Sequence, residues 1–152
     1  MRIEVVEYAH PDARLLVAGV QQEYVERYGE QDAAVVQAGD FEAPNGVFLV
    51  GYLERTPVAS GAWRRGGPQD GDAEMKRVYV VPDARGRGLA RRMLAEVERT
   101  AASAGRTRMV LETGLRQPEA IGLYLSAGYH PIAPFGAYRD DPLSRFFAKE
   151  LG

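Results

Sequence analysis

Apolar and polar positions alternate from Ile3 to Tyr8, which predicts a first strand. His10-Pro11-Asp12 then opens a helix that carries Leu15, Leu16, Val20, Tyr24 and Tyr28 on a covering face and stops at Gly29. Residues 30–46 hold little pattern before the turn signal Ala43-Pro44-Asn45-Gly46. The apolar run Val47-Phe48-Leu49-Val50-Gly51-Tyr52 follows. A turn at Glu54-Arg55-Thr56 sends Pro57 to Trp63 back beside it as a hairpin. Gly66 to Asp72 is a flexible connection into a further strand, Ala73 to Val81. Leu89, Met93, Leu94, Val97 and Ala101 then recur at helical spacing up to a stop at Gly105. Arg108 to Thr113 reads as strand, and Pro118 begins a short helix that runs to Ala127 and closes at Gly128. Tyr129 to Ile132 is extended, and Ser144 to Lys149 is the last strand. A hairpin followed by β–α–β–α–β predicts an α/β fold, a sheet of mixed direction flanked by helices.

Length and composition place all of this in one domain over residues 1–152, with an ordinary core and no internal repeat. The absence of cysteine excludes disulfides, thiolate metal ligands and a cysteine nucleophile. His10 and His130 stand far apart, outside any metal-ligand spacing, so no metal is expected. Met1 to Glu7 is too charged for a signal peptide and no segment is long and apolar enough for a bilayer, so the expected location is cytoplasmic. The net charge of −2 is unevenly spread. Residues 75–92 set Lys76, Arg77, Arg85, Arg87, Arg91 and Arg92 against Asp83 alone, a surplus of five cations inside a chain whose remainder carries −7. A local basic block in an acidic chain points to a compact polyanion and away from a nucleic-acid track.

That block contains Arg85-Gly86-Arg87-Gly88-Leu89-Ala90, between a strand and a helix start. Two glycines let backbone N–H groups approach an anion, and a helix N-terminus turns its unpaired amides and positive dipole end to the same place. Arginines are unfavourable beside that dipole unless something negative sits there. A P-loop is excluded because no Gly-Lys pair exists. A dinucleotide fingerprint is disfavoured because Gly-Arg-Gly-Leu-Ala-Arg puts Arg91 where the third glycine belongs. The pattern Gln/Arg-x-x-Gly-x-Gly/Ala is met by Arg85, Gly88 and Ala90.

On these residues the chain resembles the GNAT superfamily of N-acetyltransferases, whose motif A binds the pyrophosphate of acetyl-CoA. The likeness is tightest from Glu74 to Tyr129. Glu74 to Pro82 looks like the family's fourth strand, and Ala120-Ile121-Gly122-Leu123-Tyr124-Leu125-Ser126-Ala127-Gly128-Tyr129 looks like its motif B. Gln117 stands where the family often has asparagine. The resemblance implies a GNAT-like, mixed, mostly antiparallel sheet with one splayed strand pair. It also implies pantetheine alongside Val78, Tyr79 and Val80, with the Val80 N–H facing the thioester carbonyl. Pyrophosphate would lie over the amides of Gly86, Arg87, Gly88, Leu89 and Ala90, with Arg85, Arg87 and Arg91 adding charge.

Acetyl transfer to an amine also needs a base for the ammonium and an acid for the leaving thiolate. A phenol is protonated at neutral pH, and the family's counterpart of Tyr124 is that acid. Glu74 is the expected base, eleven residues before Arg85 as in family members that use a fourth-strand glutamate. Glu112 is the next candidate, and a water chain is a third option. Trp63 and Tyr52 read as core more than as pocket lining. The expected activity is direct acetyl transfer from acetyl-CoA to a primary amine of a small molecule, attracted by the acidic remainder of the chain. The competing readings are a protein or peptide N-acetyltransferase and a non-catalytic acyl-CoA sensor. Acetylation of aminoacyl-tRNA fits an acidic chain poorly. Neither nucleic acid nor membrane is expected as a partner, and a homodimer, frequent among GNAT domains, stays open.

Overall fold

The computed structural model describes residues 1–152. The strands are β1 (Arg2–Val5), β2 (Gly46–Leu53), β3 (Thr56–Arg65), β4 (Asp72–Val80), β5 (Arg108–Gly114), β6 (His130–Pro131) and β7 (Ser144–Glu150). The helices are α1 (Pro11–Tyr28), α2 (Leu89–Ser103) and α3 (Pro118–Ser126). The strands form one sheet in the order β1-β2-β3-β4-β5-β7-β6, antiparallel throughout except for the β4–β5 pair. The mixed, mostly antiparallel architecture expected from the sequence is the one observed.

Strand β2 shows why the sheet is buried on both faces. Phe48, Val50 and Tyr52 turn to a cluster with Ala13 and Leu16 of α1 and Phe41, while Leu49 joins Trp63, Met75, Met93, Leu94 and Tyr124 on the other face. The five apolar positions predicted for α2 are all buried. Helix α2 lies so close to β3 that a Cβ at Gly61 would stand 2.8 Å from side-chain atoms of Met93 and Val97. Trp63 and Tyr52 are core residues. The Trp63 indole N–H donates to Thr100 Oγ1 at 3.0 Å, and the Tyr52 hydroxyl donates to Asp12 at 2.6 Å.

Helix α1 departs from the expected face. It buries Ala13 and Leu16, while Leu15 is 62% exposed, because neighbouring helical positions lie about 100° apart and both leucines cannot face the sheet. His10 caps this helix, its Nδ1 accepting from the Asp12 N–H at 3.0 Å, and Gly29 ends it at φ 82°. The patternless stretch holds one short 3-10 turn, Ala38–Phe41, that seats Phe41 in the α1-side cluster.

Two features of β4 position the site. Its parallel pairing with β5 covers only Asp72↔Arg108, Ala73↔Met109 and Glu74↔Val110, after which the strands diverge. Against β3 its register slips between Ser60 and Ala62, and Arg77 takes the left-handed conformation at φ 60°. This bulge is held by the buried Ser60 hydroxyl, which donates to the Arg77 carbonyl at 2.7 Å.

Candidate active site

The divergence of β4 and β5 opens the sheet from Met75 onward, and a cleft of about 510 Å³ enters there. Its walls come from Met75 to Val80 on β4, Leu111 to Thr113 on β5, the glycine run, and facing positions on all three helices. The edge of β4 that borders the gap presents the Val80 N–H, while the Val80 C=O accepts from Arg85 Nε. Ala59↔Val80 is a pair flanked by the Val81 N–H to Val58 carbonyl bond of 2.9 Å, so the alternation of an antiparallel ladder turns the Val80 N–H and C=O away from β3.

At the far end of the cleft, Gly86 and Gly88 adopt φ 81° and 75°, and Gly88 is the N-cap of α2. The first backbone amide of this region to find a carbonyl is that of Arg92, which donates to Gly88 O at 3.2 Å. The N–H groups of residues 86–91 make no hydrogen bond within the chain, leaving a run of donors at a helix start. The arginines around them differ in their engagements. Arg91 lines the cleft and donates to Ser126 Oγ at 2.7 Å. The Arg85 guanidinium is taken up by the Val80 carbonyl (2.9 Å) and by the Glu23 carboxylate of α1, and it lies over the Tyr79 ring. Arg87 is exposed and outside the cleft lining, and Arg92 donates to Met1 O. Gln117 is in the lining, its side-chain oxygen accepting from the Tyr28 hydroxyl at 3.3 Å.

Tyr124 reaches the cleft from α3. It is 7% exposed, its ring packs edge-on against Tyr129 at 5.7 Å, and its hydroxyl has no hydrogen-bond partner in the chain. Burial, reinforced by the Glu112 charge, holds this phenol well above its usual range, so it is protonated at every ordinary pH.

A second groove, about 640 Å³, lies on the other side of the opening. Met75, Lys76 and Glu112 line both cavities. Glu112 is pushed up to about 7 by burial, against the opposing Ser144 hydrogen bond and Lys76 charge, with Asp32 and Asp141 adding to the rise. The Ser144 hydroxyl fixes it by donating to Oε2 at 2.8 Å. Glu74 lines only the second groove and is ion-paired, its Oε1 3.0 Å from Arg64 Nε, while Arg64 also meets Asp40 at 3.0 Å. The sequence-expected base and acid are therefore in different cavities, and the carboxylate facing both is Glu112.

Beside Glu112 sits a cluster the sequence did not announce. Asp32, from the patternless stretch, meets Lys76 Nζ at 3.2 Å and Arg77 at 3.1 Å, and accepts from the Tyr138 hydroxyl at 2.5 Å and the Ala34 N–H at 2.9 Å. Burial alone would raise the Asp32 carboxyl, but these partners hold it below its usual value. Two cations of the basic block thereby share one carboxylate inside the fold. No residue pattern marks Asp32, whereas Glu112 was visible as a strand carboxylate adjoining β4.

Comparison with known proteins agrees with this geometry. The profile of the Acetyltransferase (GNAT) family matches residues 14–129. The IAA acetyltransferase of Azospirillum brasilense is 41% identical over 104 residues, 68% of this chain and 67% of that protein. A solved structure from Klebsiella pneumoniae, described as an acyl-CoA N-acyltransferase, is 29% identical and superposes with a TM-score of 0.81 over 99% of this chain and 97% of its own. The PaiA N-acetyltransferase of Thermoplasma acidophilum, solved with coenzyme A, shares the fold at a TM-score of 0.73 and 14% identity, covering 99% of each chain. With a family profile spanning most of the chain and the split sheet and glycine-led helix in place, this protein belongs to the GNAT family of acetyltransferases.

Proposed function

We propose that the chain transfers an acetyl group directly from acetyl-CoA to a primary amine of a small molecule held in the second groove. The observation that carries this reading is the place of Glu112 in the walls of both cavities, with the protonated Tyr124 lining the first. The residues present suit an acyl-CoA. The free amides of residues 86–91 match a pyrophosphate, with Arg91, which has no carboxylate partner, in the cleft wall and Arg87 exposed outside it. Val78, Tyr79 and Val80 offer a strand edge to the amides of a pantetheine arm. Arg85 serves this site through the backbone, by tying the end of β4 to α1.

The thioester supplies the acyl group, and the chain's part is proton management and charge stabilisation. Glu112, ionised, takes the ammonium proton and leaves an amine lone pair free to attack the carbonyl carbon. The Val80 N–H faces the carbonyl oxygen as negative charge builds on it. As the C–S bond breaks, Tyr124 gives its proton to the sulfur, and the proton shed by nitrogen on forming the amide restores the phenol. The balance is one ammonium and one thioester converted to one amide, one thiol and one proton, which Glu112 passes to solvent. Glu74, held by Arg64, shapes the groove in this scheme and takes the proton only through intervening water.

Release of free CoA, followed over a panel of amines, tests the proposal. Tyr124→Phe is expected to lower kcat by about 10² to 10⁴ with acetyl-CoA affinity retained. Unchanged turnover would remove Tyr124 from the reaction, and tight CoA binding without turnover on any amine would replace the enzyme with a sensor.

A further inference from the structure

Lys76 and Glu112 face the same way across the gap between β4 and β5. Each lies two residues past Glu74↔Val110, the last matched pair, so alternation along both strands turns them to one face of the sheet. Lys76 is still in register with Ala62 of β3 and precedes the bulge, so the alternation holds as far as Lys76. Both side chains line both cavities. The groups that bear on Glu112 come from several elements. Ser144 of β7 donates to it at 2.8 Å, Asp32 and Asp141 raise it, and Tyr24 and Tyr28 of α1 and Tyr124 of α3 are phenols that burial keeps neutral. Lys76 is the cation among them, and its charge lowers Glu112.

The Lys76 ammonium is nevertheless committed elsewhere. Its Nζ stands 3.2 Å from Asp32 Oδ2, and no ion pair joins it to Glu112. Asp32 is held from several sides in the position this requires. Its Oδ1 accepts from the Tyr138 hydroxyl at 2.5 Å and the Ala34 N–H at 2.9 Å, and its own N–H donates to Gln21 Oε1 of α1 at 2.8 Å. That leaves Oδ2 for Lys76 and for Arg77 at 3.1 Å. The Lys76 and Asp32 side chains are 10% and 14% exposed, so salt screens the pair little.

We infer that Asp32 is a positioning residue, which holds the Lys76 ammonium off Glu112 and so keeps Glu112 open to the ammonium of the acceptor. Lysine is a point charge on a flexible four-carbon stem, and Glu112 is the carboxylate of the shared wall that has no cationic partner. Were Lys76 released onto it, Glu112 would stay ionised to lower pH and become a weaker base. An arriving ammonium would then meet a like charge where it needs a carboxylate. The inference rests on the reading of Glu112 as the base and adds what keeps that base available.

The test follows the Glu112 carboxyl carbon of the whole chain by 13C NMR across pH, its resonance identified by its loss in Glu112→Gln. From about 7 in the parent, the midpoint is expected to fall by at least about one pH unit in Asp32→Asn. That corresponds to about a tenfold advantage of the intruding ammonium, so KM for an accepted amine should rise about tenfold. In a Lys76→Met background the same Asp32→Asn change is expected to lower the midpoint by less than half as much, because no lysine is left to collapse onto Glu112. An equal fall in both backgrounds would mean that Asp32 acts through its own charge, and no fall at all would mean that it does not act on Glu112. Either result overturns the inference. Asp32→Asn also strands Arg77, 6% exposed and with its Nε already unpartnered. If that variant does not fold, Asp32→Asn/Arg77→Met, with and without Lys76→Met, carries the same comparison, since removing a buried charge together with its partner is tolerated far better. The base reading is judged apart from this, by turnover. Full activity in Glu112→Gln would remove the base, while the carboxyl titration would still decide whether Asp32 holds Lys76 away from it.

Discussion

Tyr124 and Glu112 are both raised by burial, with opposite chemical results. A phenol raised further is simply locked in its acid form, while a carboxyl raised to about 7 becomes a base that is half ready at neutral pH. Turnover should accordingly climb with pH through about 7 and level off above it, and Glu112→Gln should abolish both the climb and most of the rate. A Glu74→Gln variant that loses the same limb while Glu112→Gln keeps it would reverse the assignment. Ser144→Ala, which removes a bond that favours the carboxylate, should shift the limb to higher pH. The place of Tyr124 in the cleft was legible because a ten-residue motif surrounds it. The rank we propose for Glu112 over Glu74 was not, since it rests on Arg64 pairing with one and burial isolating the other, and neither is a local property of the chain.

The glycine run and α2 form the next tier, where the start and stop signals of the sequence were most informative. Gly29, Gly88 and Gly128 mark helix ends because each sits at positive φ. Nothing lies within 4 Å of a Cβ built on Gly88, so Gly88→Ala is penalised by the backbone alone, about 1 kcal/mol. Thermal melting should register that small loss, whereas acetyl-CoA affinity should fall by a larger factor as the six amides turn out of line. An affinity loss no greater than the stability loss would contradict the role given to these amides. The Arg77 bulge and the 3-10 turn at Ala38–Phe41 escaped the sequence for a common reason. Both are fixed by partners far along the chain, Ser60 for the first and the α1-side cluster for the second.

Across the full fold, one ion pair pins the joined end of β4 and β5. Asp72, 1% exposed, accepts two bonds of 2.8 Å from Arg108, at the first matched pair of β4 and β5. Burial alone would raise the Asp72 carboxyl, but Arg108 and the Gln69 N–H hold it below its usual value. A group depressed on folding stabilises above its unfolded value of about 3.8 and loses that contribution as pH falls through the folded one. Glu112 has the reverse sign, since its stabilising contribution is full below 4.5 and gone above about 7. Denaturant melts should therefore show Asp72→Asn costing about 3 to 5 kcal/mol at pH 7, where Arg108 is left buried without its counter-charge. Glu112→Gln should be more stable than the parent at pH 8 and equal to it at pH 4.

Past Glu74↔Val110 the seven strands are no longer one hydrogen-bonded array. Strands β1 to β4 form one leaflet and β5 to β7 another, with only three residue pairs joining them. A ligand whose arm carries amides and lies in the gap acts as a missing rung between the leaflets, so binding finishes a fold that the chain leaves unfinished. The Val80 amide should exchange rapidly with deuterium in the free protein and slowly once CoA is bound, and the two leaflets should melt more nearly together.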